Sequence, residues 1–295
     1  MALKTYFYNS NITNARFMMQ LFHDVSTECS KLVTRKYSTS FSSAIKLLHK
    51  DLRAPVYNIY GFVRFADEIV DTFHEHNKEK LLWEFKEETY KAIERKISLN
   101  PVLHSFQNTV NKYEIDIPLI DSFFNSMEHD LSKSVYDVAG YNDYVYGSAE
   151  VVGLMCLSVF CEKDRKKYES LKFFAQALGA AFQKVNFLRD MKSDYHQLER
   201  TYFPEVDFTN FTPSIKRNIE NEITRDFANA YTGITQLPLK ARFGVYVAYK
   251  YYLSLFKKIK RTQATKIIDQ RIRIPNYSKA FIVVRAGLKS QLKLI

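Results

Sequence analysis

Two short segments carry residues whose types and spacing could grip a metal–anion complex. Tyr60, Arg64, Asp67 and Asp71 recur at +4, +3 and +4, and Gln183, Asn186, Asp190 and Asp194 at +3, +4 and +4. Residues three or four apart share one face of an α-helix, so each set forms a polar stripe. Ile59, Phe62, Val63, Ala66, Ile69 and Val70 surround the first stripe, and Leu178, Ala181, Val185 and Leu188 adjoin the second. Two carboxylates a turn apart on an apolar helix repel each other and are costly to bury without positive charge between them. A divalent cation that takes hard oxygen ligands, magnesium above all, meets that need. One such pair would suit an exposed acidic face as readily as a metal site. Two pairs on facing helices would make a cage that grips a diphosphate through bridging metal and neutralises the charge that builds as it departs.

The elements that must position these stripes read as helices throughout. Phe17, Leu21, Val25, Cys29 and Leu32 form one apolar stripe, expected to face a core. Leu82, Phe85, Thr89, Ile93 and Ile97 form another, on a helix crowded with Glu and Lys. Pro55 sits where a helix could begin, and no proline follows until Pro101, so a helix from about Val56 past Asp71 is permitted. Val145–Cys161 and Ser170–Asp194 read as long helices. The second carries a patch of small residues, Ala177, Gly179, Ala180 and Ala181, suited to close packing. A loop is expected around Tyr202–Pro213, then helices over Ser214–Gln236, Leu239–Arg261 and Ser278–Lys293. Strand-like alternation is confined to fragments such as Arg271–Ile274. The expectation is an all-α helical bundle around a central cavity, one domain over residues 1–295.

Composition narrows the class. The chain is 46% hydrophobic with 23 Phe, 20 Tyr and one Trp, ample for a large core and for an aromatic-lined interior. Three cysteines, Cys29, Cys156 and Cys161, show no metal-type spacing, which points to buried thiols in a reducing compartment. The start, MALKTYFYNS, has no sustained apolar core, and the longest apolar runs, near Val151–Phe160 and Phe173–Phe182, fall short of the ~20 residues a membrane span needs. A cytoplasmic protein is expected. The net charge of +11 suits nucleic acid, an anionic membrane surface or an anionic substrate. Without a zinc finger, recognition helix or RNA-binding signature, an anionic substrate together with a peripheral membrane contact is preferred.

These motifs, in this order, resemble the squalene/phytoene synthase family over nearly the whole chain. The family's D-x-x-x-D stands as Asp67–Asp71. Its N-x-L-R-D-x-x-x-D stands as Asn186-Phe-Leu-Arg189-Asp190 through Asp194, followed by Arg200-Thr-Tyr202-Phe-Pro204. Ser38-Thr-Ser40-Phe41 matches the early S-x-S-F element, and Tyr146 through Gly153 the Y-x-x-x-V-G element. The resemblance implies that Asp67, Asp71, Asp190 and Asp194, supported by Asn186, bind Mg²⁺, with Mn²⁺ as a substitute. It implies that Arg64, Arg189 and Ser38 hold diphosphate oxygens, with the arginines as charge-assisted donors. Tyr60, Phe41, Tyr146, Gln183 and Tyr249 would line the isoprenoid cavity; Tyr202 and Arg271, with Arg273 as a rival, would lie near the diphosphate. Many members have a small residue where this chain has Glu150, which would either point to solvent or reshape the cavity wall.

By the same resemblance, one prenyl diphosphate ionises and a second captures the allylic cation. The cyclopropylcarbinyl diphosphate so formed rearranges to a 1-1′ linked hydrocarbon. The short basic tail shows no anchor, and NFLRDMKSDYHQLERTYFP looks closer to bacterial phytoene synthases than to squalene synthases. That favours two geranylgeranyl diphosphates as substrates, no NADPH, and a downstream carotenoid desaturase as a partner. A dehydrosqualene- or squalene-type synthase on farnesyl diphosphate is the sister reading, and a non-catalytic scaffold of the same fold the reading from another class. A class I terpene cyclase would show a different second metal motif. His74-Glu-His76 reads as a solvated turn, since i,i+2 residues do not share a helical face. No G-x-S-x-G, P-loop or G-x-G-x-x-G motif supports hydrolase, NTPase or dinucleotide chemistry.

Overall fold

The computed structural model describes residues 2–132, 136–198, 201–204, 206, 211–269, 271–275 and 281–287. Twelve α-helices follow in order among them. They are α1 (Ala2–Tyr37), α2 (Thr39–Ile45), α3 (Lys50–Thr72), α4 (Lys78–Arg95), α5 (Pro101–Tyr113), α6 (Ile117–Ser132), α7 (Val138–Val145), α8 (Val151–Cys161), α9 (Arg165–Leu198), α10 (Pro213–Gln236), α11 (Leu239–Arg261) and α12 (Ala264–Asp269). A π-helical turn, Tyr146–Glu150, joins α7 to α8, and residues 281–287 are also helical. The Ser278 and Lys293 ends expected for that last helix lie outside the described residues.

Side-chain caps fix several starts. Ser38 Oγ accepts from Phe41 N, Asn77 from Lys80 N, and Asn100 from Val102 N and Leu103 N. Each satisfies amides that a first turn leaves without partners. Pro101 and Pro213 occupy first turns, where the missing N–H costs nothing. Pro55 instead lies inside α3, which begins at Lys50, so the helix starts a turn and a half earlier than proline placement suggested.

The core is strongly aromatic. Phe62 of α3 stacks on Phe106 with ring centroids 3.8 Å apart and meets Phe123 and Phe124 at 5.3 and 5.6 Å. All four are fully buried, each contributing about 1.5–3 kcal/mol through lost apolar surface. Leu82, Phe85 and Thr89 of α4 are buried as expected, whereas Ile97 lies beyond its end and is exposed.

The α1 stripe is a correction. Phe17, Leu21, Val25 and Leu32 are exposed, and the buried face is Ser26, Ser30 and Thr34. Those hydroxyls are satisfied locally: Ser26 donates to Phe22 O, Thr34 to Ser30 O, and Ser30 pairs with Ser105 at 2.7 Å. Small side chains let α1 approach α3 so closely that a Cβ on Gly61 would lie 2.8 Å from Ser30 Cβ. Close approach outweighs apolar content in choosing which face of α1 turns inward.

The small-residue patch of α9 works in the same way. Ala177, Ala180 and Ala181 are buried, and a Cβ on Gly179 would stand 2.6 Å from the Ala149 carbonyl. The π-turn therefore nests against α9 at Gly179, about two turns before Asn186, and such turns are frequent at functional sites. Residues 271–275 belong to neither helix nor strand.

Candidate active site

Helices α2, α3, α8, α9, α10 and α11 enclose a cavity of about 480 Å³, within the range of small-molecule sites. Ser38, Phe41, Tyr60, Arg64, Asp67, Gln183, Asn186, Arg189 and Arg271 all line it. These are nine of the residues singled out from sequence, and they gather at one end. Leu48, Phe160, Leu171, Phe174, Ile234 and Leu237 line the rest with hydrocarbon. The result is a polar mouth on an apolar barrel.

The mouth has an aromatic collar. Phe41 meets Tyr60, Tyr252 and Phe182 at 5.7, 5.7 and 6.0 Å, and Phe182 stacks on Tyr252 at 3.9 Å. Tyr252 also hydrogen-bonds Asn186 and Arg189. Sequence reading chose Tyr249, one turn earlier; that residue packs against Phe227 and Tyr231 and is not part of the cavity lining. Tyr146, on the π-turn, is likewise absent from the lining.

The α3 stripe is electrostatically loaded. Asp67 has its carboxyl pushed up to about 7, by burial first and then by Asp71, while Arg64 opposes the rise. A third of its side chain stays open toward the cavity. Arg64 pairs with Glu68, stands 3.8 Å from Asp67 and lies over the Tyr37 ring at 4.4 Å; its Nε is buried without a hydrogen-bond partner. Tyr60 hydrogen-bonds Ser38, and its phenol is pushed up to about 12 by burial and Asp67.

On α9, Asp190 is held by two guanidinium groups: Arg189 Nε donates at 3.0 Å and Arg271 Nε approaches to 2.7 Å. The Asn186 Oδ1 atom is buried with no hydrogen-bond partner. The Asp194 side chain lies outside the described residues, as does Arg200. Arg271, rather than its rival Arg273, reaches the cluster: its guanidinium stands 2.7 Å from Asp190 and it lines the cavity, as Arg273 does not.

This donor set fits a hard cation. Asp71 adds to the cost of ionising Asp67, and Asn186 offers an oxygen with no hydrogen-bond partner. Among the described residues no three carboxylate, imidazole or thiol groups converge on one point. Mg²⁺ is ordinarily held by one or two carboxylates while substrate phosphates and water complete its shell.

Behind the acids lies a layer that sequence reading missed. Asp130 of α6 is buried, contributes to the rise of Asp67, and accepts from the Tyr144 hydroxyl at 2.8 Å. Tyr144 in turn hydrogen-bonds Tyr202, whose ring stacks on Phe187 at 4.2 Å and on Tyr144 at 5.1 Å. Tyr202 thus stands behind α9 rather than in the cavity lining. No joint sequence pattern signals this layer, because Asp130 and Tyr144 meet only once α6 and α7 are packed.

A family model described as Squalene/phytoene synthase matches residues 34–278, the stretch that contains every residue of the cluster. The chain belongs to the squalene/phytoene synthase family. Enzymes of this family are prenyl transferases that condense two prenyl diphosphates head to head, with divalent metal binding the diphosphate. Phytoene synthase of Arthrospira platensis is 26% identical over 293 residues, covering 90% of this chain and 94% of that one. 4,4'-Diapophytoene synthase of Staphylococcus haemolyticus (strain JCSC1435) is 25% identical over 201 residues, covering 66% and 67%. A dehydrosqualene synthase crystal structure with ligand superposes with a TM-score of 0.76 at 20% identity, covering 92% and 98%. It supports the fold.

The family resemblance raised the expectation of a small residue at the position of Glu150. Here that carboxylate accepts from Gln176 at 3.0 Å and lies within the field of Lys184. Lys184 is itself buried between Glu222 and Asp226, 2.7 Å from the latter. Glu150 is part of a polar seam between the π-turn, α9 and α10, outside the cavity lining.

Proposed function

We propose that this prenyl transferase is a phytoene synthase, joining two geranylgeranyl diphosphates 1-1′ through a cyclopropylcarbinyl diphosphate. One observation carries the reading: Arg64, Asp67, Asn186 and Arg189 line the mouth of a cavity whose remaining wall is aromatic and aliphatic. That arrangement binds a charged head at one end and a long hydrocarbon at the other. The near full-length match to a phytoene synthase supports the longer substrate.

Asp67, Asp71, Asn186, Asp190 and Asp194 would hold Mg²⁺, which would supply Lewis-acid stabilisation to the departing diphosphate. The chain's own groups do the rest. Arg64 and Arg189 donate to diphosphate oxygens, and Arg271 closes the same side. The Ser38 hydroxyl orients Tyr60 beside them. Phe41, Tyr60, Phe182 and Tyr252 present ring faces to the allylic cation, each worth ~0.5–2 kcal/mol by cation–π attraction, and exclude water that would quench it. Because Tyr60 and Tyr252 are held well protonated by burial, they act as neutral walls and not as bases. NADPH has no role in this reading; the protein works in the cytoplasm, peripheral to the membrane, and passes product to a carotenoid desaturase.

The relative named 4,4'-diapophytoene synthase favours a second reading, a dehydrosqualene-type synthase on two farnesyl diphosphates. Incubating the purified protein with Mg²⁺ and each diphosphate separates them. Phytoene from geranylgeranyl diphosphate is expected; preferential turnover of farnesyl diphosphate selects the second reading, and no hydrocarbon from either overturns both.

A further inference from the structure

Outside the cavity lining, two imidazoles fasten α1 to α5. His23 Nδ1 stands 2.7 Å from His104 Nε2, and the rings lie stacked with centroids 4.9 Å apart. His104 is fully buried, with the Phe22 ring 4.5 Å away, while His23 is half-buried. Neither ring has a part in the reaction proposed above.

Backbone groups fix which nitrogen carries which proton. The Ser98 amide donates to His104 Nδ1 at 3.3 Å, so the proton of the neutral ring sits on Nε2 and points at His23 Nδ1. Asn108 is oriented from the other side. Gln107 Nε2 donates to the Lys96 carbonyl at 3.0 Å and to Asn108 Oδ1 at 2.8 Å. That leaves Asn108 Nδ2 to donate to His23 Nδ1 at 3.0 Å. Turning either amide over would set N–H against N–H or oxygen against oxygen. Asn111 Nδ2 locks Gln107 further, donating to Gln107 Oε1 and to the Ile93 carbonyl, each at 3.1 Å. His23 Nδ1 is thus the single acceptor for two inward-pointing donors.

A further proton has two sites, His104 Nδ1 and His23 Nδ1. The first is sealed from solvent and faces the Ser98 amide, and burial disfavours charge there. The proton therefore settles on His23 Nδ1, against both donors, and the bonds between α1 and α5 break. We propose that the His23–His104 pair is an acid-released latch, which holds α1 on α5 at neutral pH and lets go when the pair takes up a proton. Such use of histidine needs only a neutral ring whose acceptor is committed and a proton that removes it.

Among the described residues no charged side chain hydrogen-bonds to either ring. Arg16, Asp24 and Glu28 of α1, Glu94 and Arg95 of α4, Lys96 of the following turn and Lys112 of α5 are all exposed, and Lys31 pairs with Glu28. Next to the pair, α3 meets α5 through uncharged Asn58 and Thr109, 3.0 Å apart. Burial, then His23, holds His104 below its ordinary 6.5. The folded chain therefore binds fewer protons than the unfolded one. The latch contributes fully above about 6.5 and is lost as pH falls from there. Asp67, pushed up to about 7, works in the opposite direction, so the readout has to be local to α1. That helix is tied at three points in turn: His23 to His104, Ser30 to Ser105, and Tyr37 to Arg64. The last tie belongs to the cavity mouth, so acid at the first reaches the site along one helix.

The test is hydrogen exchange of the whole protein above and below the ordinary histidine range, read by mass spectrometry and corrected for the intrinsic pH dependence of exchange. Peptides covering residues 16–30 should lose protection roughly tenfold in acid, as two buried donors lose their acceptor. Peptides from α11 should not change with them. His23→Gln keeps an oxygen acceptor that takes no proton, so it should be protected at neutral pH and stay protected in acid. His23→Lys puts a fixed cation in place of the acceptor and should be open at both. Equal protection of the parent at both pH values, or acid opening of His23→Gln to the parent's extent, overturns the latch. Should His23→Gln be open already at neutral pH, histidine NMR of the parent decides. Proton uptake by the pair and loss of α1 protection must then share one midpoint, and separate midpoints overturn the proposal. No readout here involves turnover, so the result is independent of the proposed reaction.

Discussion

The Tyr144 hydroxyl donates to Asp130 Oδ2 at 2.8 Å, tying α7 to α6 directly behind the acids of the cavity mouth. Burial and Asp130 hold the phenol well above its ordinary range, so it stays a donor at every working pH. Asp130 adds to the negative field that lifts Asp67. Tyr144→Phe leaves a buried carboxylate short of a donor, which typically costs ~1–3 kcal/mol. The urea midpoint should fall accordingly, and Mg²⁺ binding should shift with it. An unchanged midpoint would show that the bond contributes nothing.

The Asp67 carboxyl titrates near 7 in the folded chain against 3.8 ordinarily. The folded state therefore holds this proton more tightly than the unfolded one, and its contribution to stability is lost as pH rises from about 4 through 7. Without metal, thermal stability should decline over that window, and Asp67→Asn should flatten the decline. Mg²⁺ affinity should show the opposite trend, rising with pH up to about 7 as the competing proton leaves. Calorimetric titration of metal across pH checks the second half.

Arg64 is set among Glu68, Asp67 and the Tyr37 ring, with Nε left unbonded in the protein. In the proposed reaction a guanidinium so placed would stabilise charge that develops on the departing diphosphate. Loss of one preorganised donor of this kind costs about 10²–10³ in rate. Arg64→Ala should lose that much in kcat/KM, and Arg64→Lys should recover only part, because the fork geometry is gone.

Much of this was legible in the sequence because it is written in helical period. Tyr60, Arg64 and Asp67 share a face by spacing alone, and the structure brings them to one cavity mouth with Gln183, Asn186 and Arg189. What spacing omits is phase between helices. The α1 stripe reads as a core face, yet Ser30 against Gly61 permits the closer packing and turns Phe17 and Leu21 outward. Tyr249 and Tyr252 differ by one turn, and only the angle of α11 decides which meets Phe41. Asp130 and Tyr144 carry no joint pattern, because their bond exists only once α6 and α7 are packed.

Chain-length preference should follow the cavity lining and not Glu150. Cys156 lines the hydrocarbon part of the cavity, so Cys156→Phe should lower kcat/KM for geranylgeranyl diphosphate relative to farnesyl diphosphate. Glu150→Ala breaks the bond to Gln176 and should leave that ratio as it was while reducing stability. A changed ratio in Glu150→Ala would place the residue in substrate selection after all.

The account rests on the aspartates of two facing helices acting as one diphosphate-holding unit. The most direct measurement is diphosphate release from geranylgeranyl diphosphate in the presence of Mg²⁺ by Asp67→Ala and by Asp190→Ala, each first shown to be helical by circular dichroism. Both variants should be reduced to background. Near-parental release by either one would contradict the assignment.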